Sequence, residues 1–266
     1  MNPKITLPVA LHLMVCAAAA SAAEPSATEI VQHCYYKYAG DDQRSRLRIT
    51  LNDPAGKKIS TEFTRLWKDY KGQDGIIDKT ILYMTYPPDS RGLNFMRWSY
   101  ASEGKVPDQW VYLPETRMAR RISQRDPGNM DWGYTDEDLR IRALDEDVHR
   151  YLGATSQESQ QYYLVESTPK GNSSYGRRVS WFSKTPDWED CVESRVDYYD
   201  KQGTLIKKQT VRWQKIKGAW VWKTAVAQNM LNKATVVYDM EQVEVNTGLK
   251  DDDFNQRALR QEGVRP

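Results

Sequence analysis

The residues able to do chemistry are few in this sequence, and their spacing argues against most of what they could do. Beyond the first 23 positions the histidines are His33 and His149, and the cysteines are Cys34 and Cys191. His33 and Cys34 are adjacent, so on a helix their side chains diverge by about 100° and do not share a metal. No Gly-x-Ser-x-Gly elbow, phosphate-binding loop or Gly-x-Gly-x-x-Gly fingerprint is present. Acidic runs occur at Asp136-Glu137-Asp138, Asp145-Glu146-Asp147 and Asp251-Asp252-Asp253. Paired carboxylates can hydrolyse glycosides and acidic loops can bind calcium. Two of these runs, however, stand where a helix starts, and negative charge is favoured there for its own sake. Basic residues gather at Arg117, Arg120, Arg121 and Arg125, with Arg140 and Arg142 further on. Neighbours such as Arg120 and Arg121 point to opposite faces of a strand, so a solvated face with ion pairs is the simpler expectation than a headgroup-binding rim. The reading is of a protein without a catalytic residue, a metal site or a cofactor.

The elements that would position these groups are strands. A short helix comes first, with Ser26 or Thr28 as cap, Glu29 in its first turn and an apolar stripe at Ile30, Val31 and Cys34. The period then changes to two. Arg46 to Leu51 alternates strictly, the turn cluster Asn52 to Gly56 follows, and Ile59, Thr61, Phe63, Arg65 and Trp67 share one face of the next strand. Further strands are expected from Ile76 to Tyr86, Gly92 to Tyr100, Gln109 to Leu113 and Arg117 to Ile122. After an irregular loop from Asp126 to Tyr134 and a helix starting at Thr135, they resume near Tyr162 and continue to Val245. A final short helix opens at Asp251 to Phe254. The pattern predicts a mainly β (α+β) protein with roughly ten or eleven antiparallel strands and few helices. So many strands in one sheet curl, leaving a concave face to be filled by side chains, a helix or a ligand.

Composition narrows the partners. The 266 residues carry 38 Lys+Arg against 36 Asp+Glu, a balance that supplies no general field for nucleic acid. Sixteen Tyr and nine Trp against four Phe favour surfaces that are half apolar and half wet. Met1 to Ala23 reads as an export signal: Lys4 is the positive start, Ile5 to Ala20 is largely apolar, and small residues around Ala22-Ala23 suit cleavage. A lipoprotein signal using Cys16 is the competing reading. The rest, residues 24–266, reads as a single domain. In an oxidising compartment Cys34 and Cys191 are either a disulfide or two buried thiols.

Several segments together resemble the LolA-like outer-membrane lipoprotein-sorting family. They are Gln109-Trp110-Val111-Tyr112-Leu113-Pro114 followed by Arg117 to Ile122, and Pro87 to Gly92 leading into Phe95, Met96 and Trp98. With them come Asp131-Trp132 before Tyr134 to Leu139, Tyr199 to Lys207, and Asp253-Phe254 with Leu259. The resemblance runs from about Tyr35 to Leu259. It implies a curved antiparallel half-barrel closed by short helices, working in the periplasm as a carrier that shields acyl chains in transit to the outer membrane. The longer branch that this chain resembles is associated with exporters of the resistance-nodulation-division (RND) type. The implied cargo is a lipoprotein acyl chain or another lipid-like hydrophobe, and membrane contact is peripheral and transient. Phe63, Trp67, Phe95, Trp98, Trp110, Tyr112 and Trp181 are the candidate cavity-lining residues, with the short helices and the Asp126 to Tyr134 loop as lids. A non-catalytic adaptor for an exporter and a glycan or lipid hydrolase remain the alternatives.

Overall fold

The computed structural model describes residues 24–101, 105–122 and 141–261. The expected signal at 1–23, the Asp126 to Tyr134 loop, the Thr135 helix, Asp136-Glu137-Asp138, Arg125 and Arg140 lie outside the described residues.

The first element is α1 (Ala27–Cys34). Ser26 caps it, with its Oγ accepting from the Glu29 amide at 3.2 Å while Glu29 accepts from the Ser26 amide at 3.3 Å. Among the described residues thirteen strands follow: β1 (Asp42–Asn52), β2 (Lys58–Asp69), β3 (Ile76–Tyr86), β4 (Asn94–Tyr100), β5 (Asp108–Leu113) and β6 (Met118–Ile122), then β7 (Asp147–Gln157), β8 (Gln160–Pro169), β9 (Arg177–Ser183), β10 (Glu193–Tyr199), β11 (Leu205–Ile216), β12 (Ala219–Asn229) and β13 (Thr235–Val245). A single-turn α2 (Gln256–Leu259) lies near the C-terminus.

All strands belong to one antiparallel sheet ordered β6-β5-β4-β3-β2-β1-β13-β12-β11-β10-β9-β8-β7. The chain starts at the centre, steps outward to β6, resumes at the opposite edge with β7, and steps inward until β13 pairs with β1. That central seam sets Leu47 opposite Met240 and Ile49 opposite Tyr238. Among the described residues β6 and β7 do not pair, so the sheet is open.

The strand count exceeds the expected ten or eleven, and β7 is the strand that the pattern hid. Its inward positions are Asp147, His149 and Tyr151, while apolar Val148 and Leu152 point outward and are 56% and 40% exposed. An edge strand with its apolar residues outside reads as the wrong face or as no strand at all.

Register assigns every residue to one of two faces. On the first, which we term inner, α1 packs Ile30, Val31 and Cys34 on Tyr163, Val165, Phe182 and Cys191. On the second, outer, face the C-terminal segment packs Leu249, Phe254 and Leu259 on Leu66, Ile81, Tyr83, Met96 and Trp110. α1 and the C-terminal segment from Leu249 to Leu259 therefore cover opposite faces at opposite ends of the sheet.

Candidate functional site

Among the described residues, the inner face carries a broad apolar surface built almost entirely by the sheet. Phe95 on β4, Leu82 and Met84 on β3, Phe63 on β2, Leu47, Ile49 and Leu51 on β1, Val236, Tyr238 and Met240 on β13, Ala225 and Trp222 on β12, and Val211 and Trp213 on β11 form one cluster. Strand pairing aligns them: Phe63 stands opposite both Leu47 and Met84, and Leu82 opposite Phe95. The Phe63 and Phe95 rings meet edge-on at 6.5 Å, and Trp213 and Trp222 at 6.4 Å. Seven strands spaced about 4.8 Å apart make a wall about 29 Å across, enough for an extended acyl chain.

The sequence-predicted lining residues divide between the faces. Phe63, Trp67 and Phe95 share the inner one, Trp67 standing opposite Gln43 and Thr80. Trp98, Trp110 and Tyr112 share the outer one. There Trp98 and Trp110 pack edge-on at 5.1 Å, and the Trp98 indole donates to the Phe254 carbonyl at 3.1 Å. Tyr83 and Asn94 add bonds to the carbonyls of Ala258 and Leu259. These outer aromatics hold the C-terminal segment. Trp181 is also on the outer face, opposite Leu164 and Arg195, with the Arg195 guanidinium 4.4 Å from its ring. No single wall contains all seven.

The inner face has a polar end that sequence reasoning did not single out. Along each of five neighbouring strands it changes character at nearly the same level. Leu47 gives way to Ser45 and Gln43, Phe63 to Arg65, Leu82 to Thr80 and Asp78, Phe95 to Arg97, and Val111 to Gln109. Arg65 donates from Nη1 to Gln43 Oε1 at 2.8 Å. Asp78 is buried, and burial raises its pKa against the fields of Arg97 and Arg65. The signal in the sequence was the alternation Phe63-Arg65-Trp67, a cation placed between two inner-face aromatics.

Under α1 the buried charges pair with one another. Arg142 reaches Asp147 through Nε at 3.0 Å and Nη2 at 2.8 Å, and Arg178 completes a triad on the same carboxylate. Tyr36 donates to the Arg142 carbonyl at 2.7 Å. His149 bonds the Leu144 carbonyl through Nε2 at 3.0 Å and Ser167 through Nδ1 at 2.9 Å, and burial lowers its pKa. A carbonyl only accepts, so Nε2 carries the proton and the ring is a neutral structural group. The void beside these residues is about 30 Å³, room for about one water. His33 stacks on Trp188 at 5.0 Å. Cys34 and Cys191 are joined as a disulfide with Cα atoms 4.9 Å apart, which fastens the last turn of α1 to the segment before β10. Among the described residues, no three His, Cys, Asp or Glu side chains are grouped to hold a metal.

The acidic runs within the described residues serve the fold. Asp147 anchors the two arginines, Glu146 accepts from the Ala143 amide at 2.8 Å, and Asp253 accepts from the Lys250 amide at 2.7 Å. Of the basic cluster, Arg121 pairs with Asp108 on the outer face, and Arg120 stands opposite Val111 on the inner one.

No curated protein matches the sequence. A family model with the description "-like: Uncharacterized protein" matches residues 77–261. Among solved structures, a DUF1329 family protein from Desulfovibrio piger is 26% identical, with a TM-score of 0.73 over 88% of this chain and 95% of that one. An outer membrane lipoprotein-sorting protein domain from Vibrio parahaemolyticus is 23% identical, with a TM-score of 0.75 over 88% and 98%. A LolA superfamily protein from Nitrosomonas europaea is 17% identical, with a TM-score of 0.63 over 88% and 100%. The one-sheet architecture, the matched span and these neighbours agree: the chain belongs to the DUF1329 family and has a LolA-like fold.

Proposed function

We propose that this protein is a periplasmic carrier whose half-barrel shields the hydrocarbon of a lipid-like cargo in transit to the outer membrane, in the service of an RND-type exporter. Residues 24–266 then act as one carrier domain after removal of the export signal. The observation that carries this reading is the apolar inner face, seven strands wide and drawn, among the described residues, from the sheet itself. Each methylene moved from water onto such a face is stabilised by about 0.8 kcal/mol. A carrier returns that energy on delivery, so moderate affinity suits the task. The fold shared with a lipoprotein-sorting domain supports the same reading. Nothing in the reading calls for a catalytic residue, and the adaptor alternative lacks an observation of its own.

The inner face has a contrast built into the sheet. Leu82 and Val226 are both half-buried strand residues, but register puts Leu82 on the inner face and Val226 on the outer. Leu82→Gln should weaken uptake of a fluorescent acyl probe by delipidated protein about tenfold, whereas Val226→Gln should leave it within about twofold. Equal effects of the two substitutions would remove the inner face from the argument.

A further inference from the structure

The apolar-to-polar boundary on the inner face identifies a class of cargo. We propose that the polar end, centred on Arg65 with Ser45 and Gln43, receives the anionic head of an amphiphile whose acyl chain lies along Leu47, Phe63, Leu82 and Phe95. The inference rests on the carrier reading and adds the head chemistry, a carboxylate or a phosphate.

Three observations support it. The boundary is a property of the sheet, because five adjacent strands cross it within one register step. Successive inner-face positions on a strand are about 7 Å apart, so Arg65 begins where the Phe63 ring ends. The second observation is the state of Arg65. Its hydrogen bond goes to a neutral amide oxygen, and among the described residues no carboxylate lies within 4 Å of it. Burial pulls its guanidinium down to about 10, partly offset by Asp78. A mostly covered guanidinium with a neutral partner gains strongly from an anion, since its planar fork matches the two oxygens of a carboxylate or phosphate. The third is an orphan hydroxyl. Ser45 is 3% exposed and stands directly opposite Arg65, and its Oγ has no hydrogen-bond partner among the described residues. Leaving a buried hydroxyl unsatisfied is costly, and an anionic oxygen held by Arg65 would satisfy it. Trp67, opposite Gln43, closes the polar end with an aromatic body.

The test uses the delipidated, disulfide-bonded mature protein and displacement of an uncharged fluorescent acyl probe by oleate, oleoyl lysophosphatidate and oleyl alcohol. These three share one chain and differ in the head. The expected result is that at least one of the anionic lipids binds about tenfold tighter than the alcohol, and that Arg65→Met abolishes this preference while alcohol binding stays within about twofold. The preferred anion tells carboxylate from phosphate. Arg65→Lys should keep part of the preference, and Ser45→Ala should reduce it without touching the alcohol. Should Arg65→Met not fold, the lysine and alanine variants carry the same comparison. Equal affinity of wild-type protein for all three lipids, or equal loss for all three in the variants, would overturn the head site and leave the carrier standing. Failure of all three to bind wild-type protein would overturn both.

Discussion

Replacing Cys34 and Cys191 by alanine should destabilise the protein severely without dismantling the sheet. The bond joins residues 157 positions apart, so its removal frees a very long loop in the unfolded chain. Chain entropy alone sets the loss at about 5 kcal/mol for such a loop, and native disulfides typically return about 2–5. The folded-state consequence is local. Cys34 is the last residue of α1, and the helix buries Ile30 and Val31 on Tyr163, Val165 and Phe182. Eight residues are too few for a helix to hold together without that packing, so α1 should loosen first. The assay is urea unfolding followed by tryptophan fluorescence, together with amide hydrogen exchange of residues 27–34. We expect a drop of about 2–5 kcal/mol and protection lost in α1 beyond that drop, while β1 and β13 lose no more protection than the global drop itself. A drop under about 1 kcal/mol, or unchanged protection of α1, would refute the view that the bond pins this helix to the inner face. The same reasoning makes α1 a fixed cover in the oxidised protein and not a lid that swings freely.

Other predictions concern the two ends of the chain and one turn. Asp42 accepts from the Thr247 amide and hydroxyl at 2.7 and 2.6 Å and from the Gly248 and Leu249 amides at 3.0 and 3.3 Å. Burial pushes its carboxyl up, but these bonds outweigh it and hold the pKa below the usual aspartate range. That stabilisation is present above the unfolded value near pH 4 and is lost as pH falls through the folded one; Asp42→Asn should cost about 1–3 kcal/mol at pH 7 and flatten the acid limb in urea titrations across pH. A Cβ at Gly176 would come within 2.4 Å of the Asp200 carbonyl oxygen, where the Gly176 amide also donates to Tyr199. Gly176→Ala should therefore lower stability by about 1–3 kcal/mol in thermal unfolding. Trp98→Phe removes the indole donor to the Phe254 carbonyl and shrinks the ring that packs on Trp110, and should raise proteolysis of the C-terminal segment while leaving acyl-probe binding within about twofold.

The strand content was legible because most strands alternate and end in Gly, Pro, Asp or Asn turns, as in Arg46 to Leu51 and the hairpin at Asp200 to Gly203. The N-cap at Ser26 was legible for the same local reason. What remained hidden depended on the second face. β4 places Phe95 inside, half-buried, and Met96 outside, buried under the C-terminal segment, and each belongs to an apolar cluster. A strand that is apolar on both faces reads as a continuous apolar run, and its period cannot say which residues meet a cavity. That is why Trp98, Trp110 and Tyr112, which bind the C-terminal segment, resembled lining residues as much as Phe63 did. β7 was hidden for the opposite reason: its inner positions carry Asp147, which anchors a buried charge network, and the neutral His149 hydrogen-bonded near it. The polar end at Arg65 emerged only when register aligned five strands, none of which is unusual alone.

Native mass spectrometry of the protein purified from periplasm, followed by lipid extraction, tests the carrier claim most directly. A carrier should hold a reproducible acyl lipid in a fixed ratio, reduced when Leu82 is replaced by Gln. Protein that is consistently lipid-free and instead accompanied by a stoichiometric membrane partner would contradict it.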